Sequence, residues 1–161
     1  MKRSAAREIA IRLVFSLAEN PAQPGELLSR IFEDEYYSTL EDEDQIYNEK
    51  PNKKQLVYIT RLVTGVFEHA AELDGYIEKH ALGWKFNRIS RIAAAIMKTA
   101  MFEVLYMPDI PDRAAINEAV ELAKHYETPE TVSFINGVLG SFSRNELIAI
   151  ENSDQTVDDH G

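Results

Sequence analysis

The most regular alternation of apolar and polar positions lies between Ile110 and Leu139. Asp112, following Pro111, is a good N-cap, and Ile116, Ala119, Val120 and Ala123 then recur at the spacing of one helical face. Thr128 offers a second N-cap with Pro129 at the first helical position, and Val132, Ile135, Val138, Leu139 and Phe142 follow at the same period. The turn between them, Tyr126-Glu127-Thr128-Pro129, is short enough to force an antiparallel hairpin.

The same period runs through the rest of the chain. Residues 4 to 18 read as a first helix capped by Ser4, with Ala6, Ile9, Ala10, Leu13, Val14 and Leu17 on one stripe. Ile11 and Phe15 lie on a different flank, with Arg7 between that flank and the stripe. That flank suits either packing against another part of the chain or a homodimer seam. After a break from Pro21 to Gly25, a second helix places Leu27, Leu28, Ile31, Phe32 and Tyr36 inward. A third starts at Asn52 and buries Leu56, Ile59, Val63, Val66, Phe67 and Ala70, continuing or restarting through Leu73, Ile77 and Leu82. Gly65 inside it costs about 1 kcal/mol of helix propensity and marks a close crossing. A fourth runs from about Arg88 to Met107, buries Ile89, Ile92, Ala93, Ile96, Ala100 and Val104, and is stopped by Pro108 and Pro111. No strand-like alternation of useful length occurs, so the fold class is all-α. The pattern groups the helices into two packed bundles, 1 to 82 and 83 to 150, forming one compact domain.

Charge changes this picture. The chain of 161 residues carries a net charge of −10, unevenly placed. Residues 1 to 12 sum to +3, residues 19 to 50 to −8, residues 51 to 150 to −1, and the polar tail 151 to 161 to −4. The run from Glu41 to Pro51 reads as a mobile, solvated acidic loop, and the tail as disordered. A chain this acidic cannot hold nucleic acid by bulk electrostatics, so any such contact is local. The basic start, Lys2, Arg3, Arg7 and Arg12, is the clear candidate. Neutralising about three phosphates there gives a salt slope near −2, which is weak binding that needs a partner protein.

Catalytic and cofactor chemistry leaves no trace in the sequence. There is no cysteine, and His69, His80, His125 and His160 show no paired metal-ligand spacing, so neither a zinc site nor any other cofactor is expected. No phosphate-binding glycine loop and no nucleophile elbow occur. Gly137-Val138-Leu139-Gly140 has the spacing of a KH-domain clamp but lies inside an apolar helical pattern. Glu118 and Glu121 adjoin Lys124 and read as a solvated face. No apolar run is long enough to span a membrane and the N-terminus has no signal-peptide core, so a cytoplasmic non-enzyme is expected.

Several segments, in order, carry a family resemblance. They are Ala6-Arg7-Glu8; Gly65-Val66 with His69 and Glu72-Leu73-Asp74; Trp84 and Arg88; Ile96-Met97-Lys98-Thr99-Ala100 with Phe102-Glu103; the run Ile116 to Lys124; and Phe134-Ile135-Asn136-Gly137-Val138-Leu139. The set resembles the NusB-type transcription antitermination factors over roughly residues 3 to 145, outside the acidic segment near 41 to 50 and the tail. The resemblance implies an all-α fold of two helical groups that binds single-stranded boxA-like RNA. It also implies a heterodimer with the ribosomal protein NusE, within an antitermination complex on RNA polymerase that serves ribosomal RNA operons. It maps RNA contacts onto Arg3 and Arg7 with Lys2 beside them, and onto Glu130 and Phe134 before and within the second signature. Arg12 and Lys124 are further basic candidates.

The sequence departs from the family at four positions. Arg12 stands where glutamine is common, Phe15 replaces a frequent tyrosine, and Ala93 and Ala94 fill places where an acid and a base are common. Partner contact is therefore expected to rely on Phe15, Phe102 and Tyr106. Two competing readings remain open. A similar helical domain precedes the catalytic domain of some ribosomal RNA cytosine methyltransferases, although this chain has neither the cysteine nor the cofactor loop of that enzyme. A protein-interaction bundle without RNA binding is the other.

Overall fold

A computed structural model describes residues 1–83 and 88–147. Among them are eight α-helices and no strand: α1 (Arg3–Glu19), α2 (Pro24–Ile31), α3 (Asp34–Thr39), α4 (Lys53–Glu68), α5 (Ala70–His80), α6 (Arg91–Tyr106), α7 (Asp112–Tyr126) and α8 (Pro129–Phe142). The chain divides into two compact units between Ala70 and Ala71. Sequence periodicity set its division at 82/83, because the apolar spacing of α4 carries on into α5 and conceals the break at His69. Trp84 and the tail from 148 onward lie outside the described residues.

In the first unit α1 lies along α4, and α2 packs on both α4 and α3. Ala6, Ile9, Ala10, Leu13, Val14 and Leu17 face Ile59, Leu62, Val63 and Val66 in its core. Ile11 is buried as well, so the flank proposed as a second surface is reduced to the half-buried Phe15. Phe67, expected inside, is exposed, and Tyr58 and Leu62 are buried in its place. The face of α4 that α1 covers is therefore turned by a fraction of a helical turn from the one the apolar count suggested.

Tyr36 is likewise exposed, while Tyr37 is buried. The helix breaks at Phe32, passes through an extended Glu33 and restarts at Asp34, which shifts the inward phase by one residue. Tyr37 stacks on Phe32 at 5.8 Å, meets the Tyr47 ring edge-on at 5.9 Å, and donates its hydroxyl to the Glu49 carbonyl at 2.9 Å. Burial first, then the neighbouring Tyr47, Glu41 and Glu49, pushes its phenol up to about 12.

These contacts belong to the acidic stretch, which is a built segment and not the featureless loop its charge suggested. Two 3₁₀ turns, Leu40–Asp42 and Gln45–Tyr47, are joined by Asp44. One Asp44 carboxylate oxygen accepts from the Ile46 backbone N–H at 3.0 Å, and the other pairs with Arg12 at 2.8 Å. Lys50 pairs with Asp34, and the N-terminal ammonium pairs with Glu49. Cations brought in from α1 and the chain start, with Lys50 anchored to Asp34 of α3, fold a segment that would repel itself alone.

The second unit is built on α6, which packs against both arms of the α7–α8 hairpin. Ala115, Ala119 and Ala123, four residues apart, form the inner face of α7, and their small side chains accommodate the buried Ile96, Met97 and Met101 of α6. Ile135, Val138, Leu139 and Phe142 supply the α8 face. Thr128 caps α8 through the Thr131 N–H, with Pro129 at the first position. Ser90 caps α6 in the same way through the Ala93 N–H. Asp112 is the first residue of α7, not its cap, and acts there as an acid in the first turn, where it suits the helix dipole. Leu82, beyond the end of α5, is exposed.

The end of α8 continues as a π-helical turn, Ser143–Leu147. Its Glu146 accepts from Lys79 at 2.6 Å and contacts His80 Nε2 at 2.9 Å, while His80 Nδ1 meets Ser141 Oγ at 2.8 Å. Lys79, then His80, holds the Glu146 carboxyl below the ordinary carboxylate range against the opposing effect of burial.

Candidate nucleic-acid interface

Helix α1 opens without an acid in its first turn, so the cations Lys2 and Arg3 stand at the positive end of the helix dipole. Lys2 is an extended N-cap whose carbonyl accepts from the Ala5 and Ala6 N–H groups at 3.1 Å. Like charge at a helix start is unfavourable by a few tenths of a kcal/mol, and something must hold Arg3 there. Tyr58 of α4 does so. The Arg3 guanidinium lies 5.0 Å from the Tyr58 ring centroid and that of Arg7 lies 5.9 Å from it, both within cation–π range. Tyr58 is 8% exposed, so its ring is a platform for the arginines and not a stacking surface for a base.

Helix α4 begins beside this platform. Asn52 accepts from the Gln55 N–H at 2.9 Å and Gln55 accepts from the Asn52 N–H at 2.8 Å, a reciprocal capping box that fixes the first turn. Gln55 also donates to the Met1 carbonyl, tying the chain start to α4. Lys53 and Lys54 are exposed on that turn. Between the two helix starts is a cleft of about 180 Å³ lined by Arg3, Ala6, Asn52, Lys54, Gln55 and Tyr58.

The cations expected to act together are thus split. Lys2 and Arg3 are exposed, and Arg3 lines the cleft. Arg7 is 4% exposed, because one turn beyond Arg3 it falls beside the Ala6 and Ala10 stripe, so its guanidinium supports the site from within. Arg12 is drawn away altogether: it pairs with Glu8 at 3.2 Å and Asp44 at 2.8 Å and lies 5.5 Å from the Tyr47 ring centroid. The Arg12 guanidinium, then the Ile46 N–H, holds the Asp44 carboxyl below its usual range.

Lys53, Lys54 and Tyr58 were absent from the sequence-derived set. Their signal is Asn52-Lys53-Lys54-Gln55, a basic doublet inside a capping box, but it was averaged into a stretch whose net charge is near zero.

The remaining candidates lie on the second unit. Lys124, in the last turn of α7, pairs with Glu121 at 2.7 Å with both side chains largely solvated, while Glu130 is exposed in the first turn of α8. Phe134 follows one turn on and is half-buried. Asn136 and Gly137 share the open side of α8, and a Cβ added at Gly137 would meet nothing within 4 Å, so this glycine is not required for close packing. Of the expected partner contacts, Phe102 is 5% exposed and lies 5.1 Å from the half-buried Tyr106 ring. It supports Tyr106 more than it presents itself. Both Glu72 carboxylate oxygens accept from the Tyr106 hydroxyl, at 2.8 and 2.9 Å, and desolvation, then this contact, pushes the phenol up to about 12.

Among the described residues no group of His, Cys, Asp and Glu is arranged to hold a metal ion, and no helix is long and apolar enough to cross a membrane.

Comparison with known proteins accords with this architecture. A sequence model described as the NusB family matches residues 4–144. The transcription antitermination protein NusB of Acetivibrio thermocellus is 40% identical over 154 residues, covering 96% of this chain and 97% of that protein. Its counterpart in Ruminiclostridium cellulolyticum is 37% identical and covers 91% and 92%. Among solved structures, T. maritima NusB superposes with a TM-score of 0.66 at 25% identity, covering 90% of this chain and 92% of that one. A chain from the crystal structure of a plectonemic RNA supercoil reaches 0.71 at 24% identity, covering 91% and 98%. With its fold, its ordered motifs and its full-length relatives in agreement, this chain belongs to the NusB family of transcription antitermination proteins.

Proposed function

We propose that this protein is a non-enzymatic RNA-binding antitermination factor that takes single-stranded boxA-like RNA together with the ribosomal protein NusE. It would act in the antitermination complex on RNA polymerase at ribosomal RNA operons. The observation that carries the reading is the seating of Arg3 on Tyr58 beside Lys2, an ordered exposed cationic site on a chain of net charge −10. Arginine held by an aromatic ring loses less side-chain entropy when it meets a phosphate, which offsets the absence of bulk attraction.

In this reading Lys2 and Arg3 contact phosphates and Arg7 supports them. Lys124, Glu130 and Phe134 on the α7–α8 hairpin meet the RNA elsewhere, Phe134 by stacking on a base. Phe15 and Tyr106, the latter backed by Phe102, meet NusE.

Fluorescence anisotropy of a labelled boxA-like RNA, with a scrambled control and with or without NusE, tests the proposal. Sequence-selective binding that tightens with NusE and weakens in Arg3→Ala is expected. Absence of binding to either RNA at low salt with NusE present would leave only a protein-interaction bundle.

A further inference from the structure

We infer that the cleft between the starts of α1 and α4 is a second phosphate seat on the RNA path, with Lys54 as its principal contact and Lys53 as its flank. This deepens the RNA-binding reading above and rests on it. Four observations converge on the cleft. Its walls carry a cation from each helix, Arg3 and Lys54, with the amide side chains of Asn52 and Gln55 between them and no acid in the lining. Both walls are fixed in advance, Arg3 by the Tyr58 ring and the α4 turn by its reciprocal capping box. The space, about 180 Å³, is smaller than the roughly 300–1,000 Å³ that encloses a drug-sized ligand, and so suits a backbone phosphate more than a whole nucleotide. Lys53 and Lys54 also lie in the first turn of α4, which contains no acid to neutralise them.

Contacts of this kind carry no base information. Phosphate contacts fix register on the strand, whereas base edges and stacking platforms distinguish sequences. The seat would therefore add affinity equally for every single strand.

The test is anisotropy titration of the full chain with boxA-like and scrambled RNA at several salt concentrations, using wild type, K54Q and K53Q/K54Q. The double variant R30Q/R113Q, which removes two exposed charges elsewhere, serves as control. Each phosphate contact on a single strand contributes about 0.7 to the slope of log affinity against log salt. K54Q should lower the slope by about 0.7 and K53Q/K54Q by up to about 1.4, with several-fold weaker binding of both RNAs and an unchanged ratio between them. R30Q/R113Q should leave the slope as in wild type. Equal losses in the two double variants would mean diffuse electrostatics and would overturn the seat. So would unchanged binding in K53Q/K54Q while R3A still weakens, a result that leaves the RNA-binding reading standing. If wild type itself binds neither RNA, both ideas fall together. Far-UV circular dichroism on every variant keeps loss of folding apart from loss of contact.

Discussion

Replacing Tyr58 tests the most specific feature of the interface, the use of one buried ring to hold two arginines. In Tyr58→Leu the side chain stays apolar and helix-compatible, but both guanidiniums, at 5.0 and 5.9 Å from the ring centroid, lose their platform. A cation–π contact at a partly solvated site is worth about 0.5–1 kcal/mol, so the two together contribute roughly 1–2 kcal/mol of order at the start of α1. If half of that is lost from the RNA complex, affinity falls about two- to fivefold. Tyr58→Phe keeps the ring and removes only the hydroxyl, so it should bind RNA within about twofold of wild type. Anisotropy at fixed low salt reads the affinities, and urea melts of each variant check that the comparison is made on folded protein. A folded Tyr58→Leu that binds as tightly as wild type would show that Arg3 needs no platform. Equal weakening in Tyr58→Phe would assign the effect to the hydroxyl and refute the cation–π account.

Other outcomes follow from the same geometry. Asp44→Asn should cost no more than about 1 kcal/mol of stability, because the Arg12–Asp44 pair is partly solvated, yet it should strengthen RNA binding measurably at low salt by removing a negative charge near α1, with Arg12 still held by Glu8 and the Tyr47 ring. Gly137→Ala should stabilise the fold by about 0.5–1 kcal/mol, raising Tm by about 1–4 °C in a calorimetric scan, since the added methyl meets nothing and helix propensity improves. Glu146 has a lowered folded pKa, so its contribution is present above the ordinary glutamate range and is lost as pH falls through the folded value. Acid melts of wild type should therefore lose stability there, and Glu146→Gln should show a smaller loss.

The second unit was the more legible half because α6, α7 and α8 each have a local punctuation mark, in Ser90, Pro111 and Thr128-Pro129. Thr128-Pro129 fixes the start of α8, and Ile135, Val138, Leu139 and Phe142 are buried as their spacing required. A single apolar stripe on α8, buried between α6 and α7, leaves little to tertiary context. The first unit was harder for the converse reason. Tyr36 and Tyr37 are adjacent tyrosines, and which one turns inward depends on a one-residue break at Glu33 that no glycine or proline announces. Phe67 is exposed because α4 is rotated by what α1 offers it, a choice made between helices and invisible in either one. The cations tell the same story at the level of function. Charge along the sequence grouped Lys2, Arg3, Arg7 and Arg12, whereas folding buries Arg7, commits Arg12 to Asp44, and brings Lys54, about fifty residues later, to the cleft beside Arg3.

On the RNA-binding reading proposed above, that regrouping is what lets a chain of net charge −10 meet a polyanion. Long-range attraction is unavailable, and at physiological salt the screening length of about 8 Å confines useful charge to near neighbours. The acids of the 41 to 50 stretch are partly committed: Asp44 to Arg12, Glu49 to the N-terminal ammonium. Each such pair sets one acid against one cation, and the Glu49 pair fixes the chain start, which Gln55 also grips through the Met1 carbonyl. The acidic segment thus has a structural use at the basic end, at the cost of Arg12 as an open contact. On the proposed reading, association should in consequence be slow and less salt-dependent than that of a basic RNA-binding domain, with affinity resting on preorganised cations and on NusE. Stopped-flow association rates that proved near the diffusion limit and fell steeply with added salt would contradict this account of where the binding energy arises.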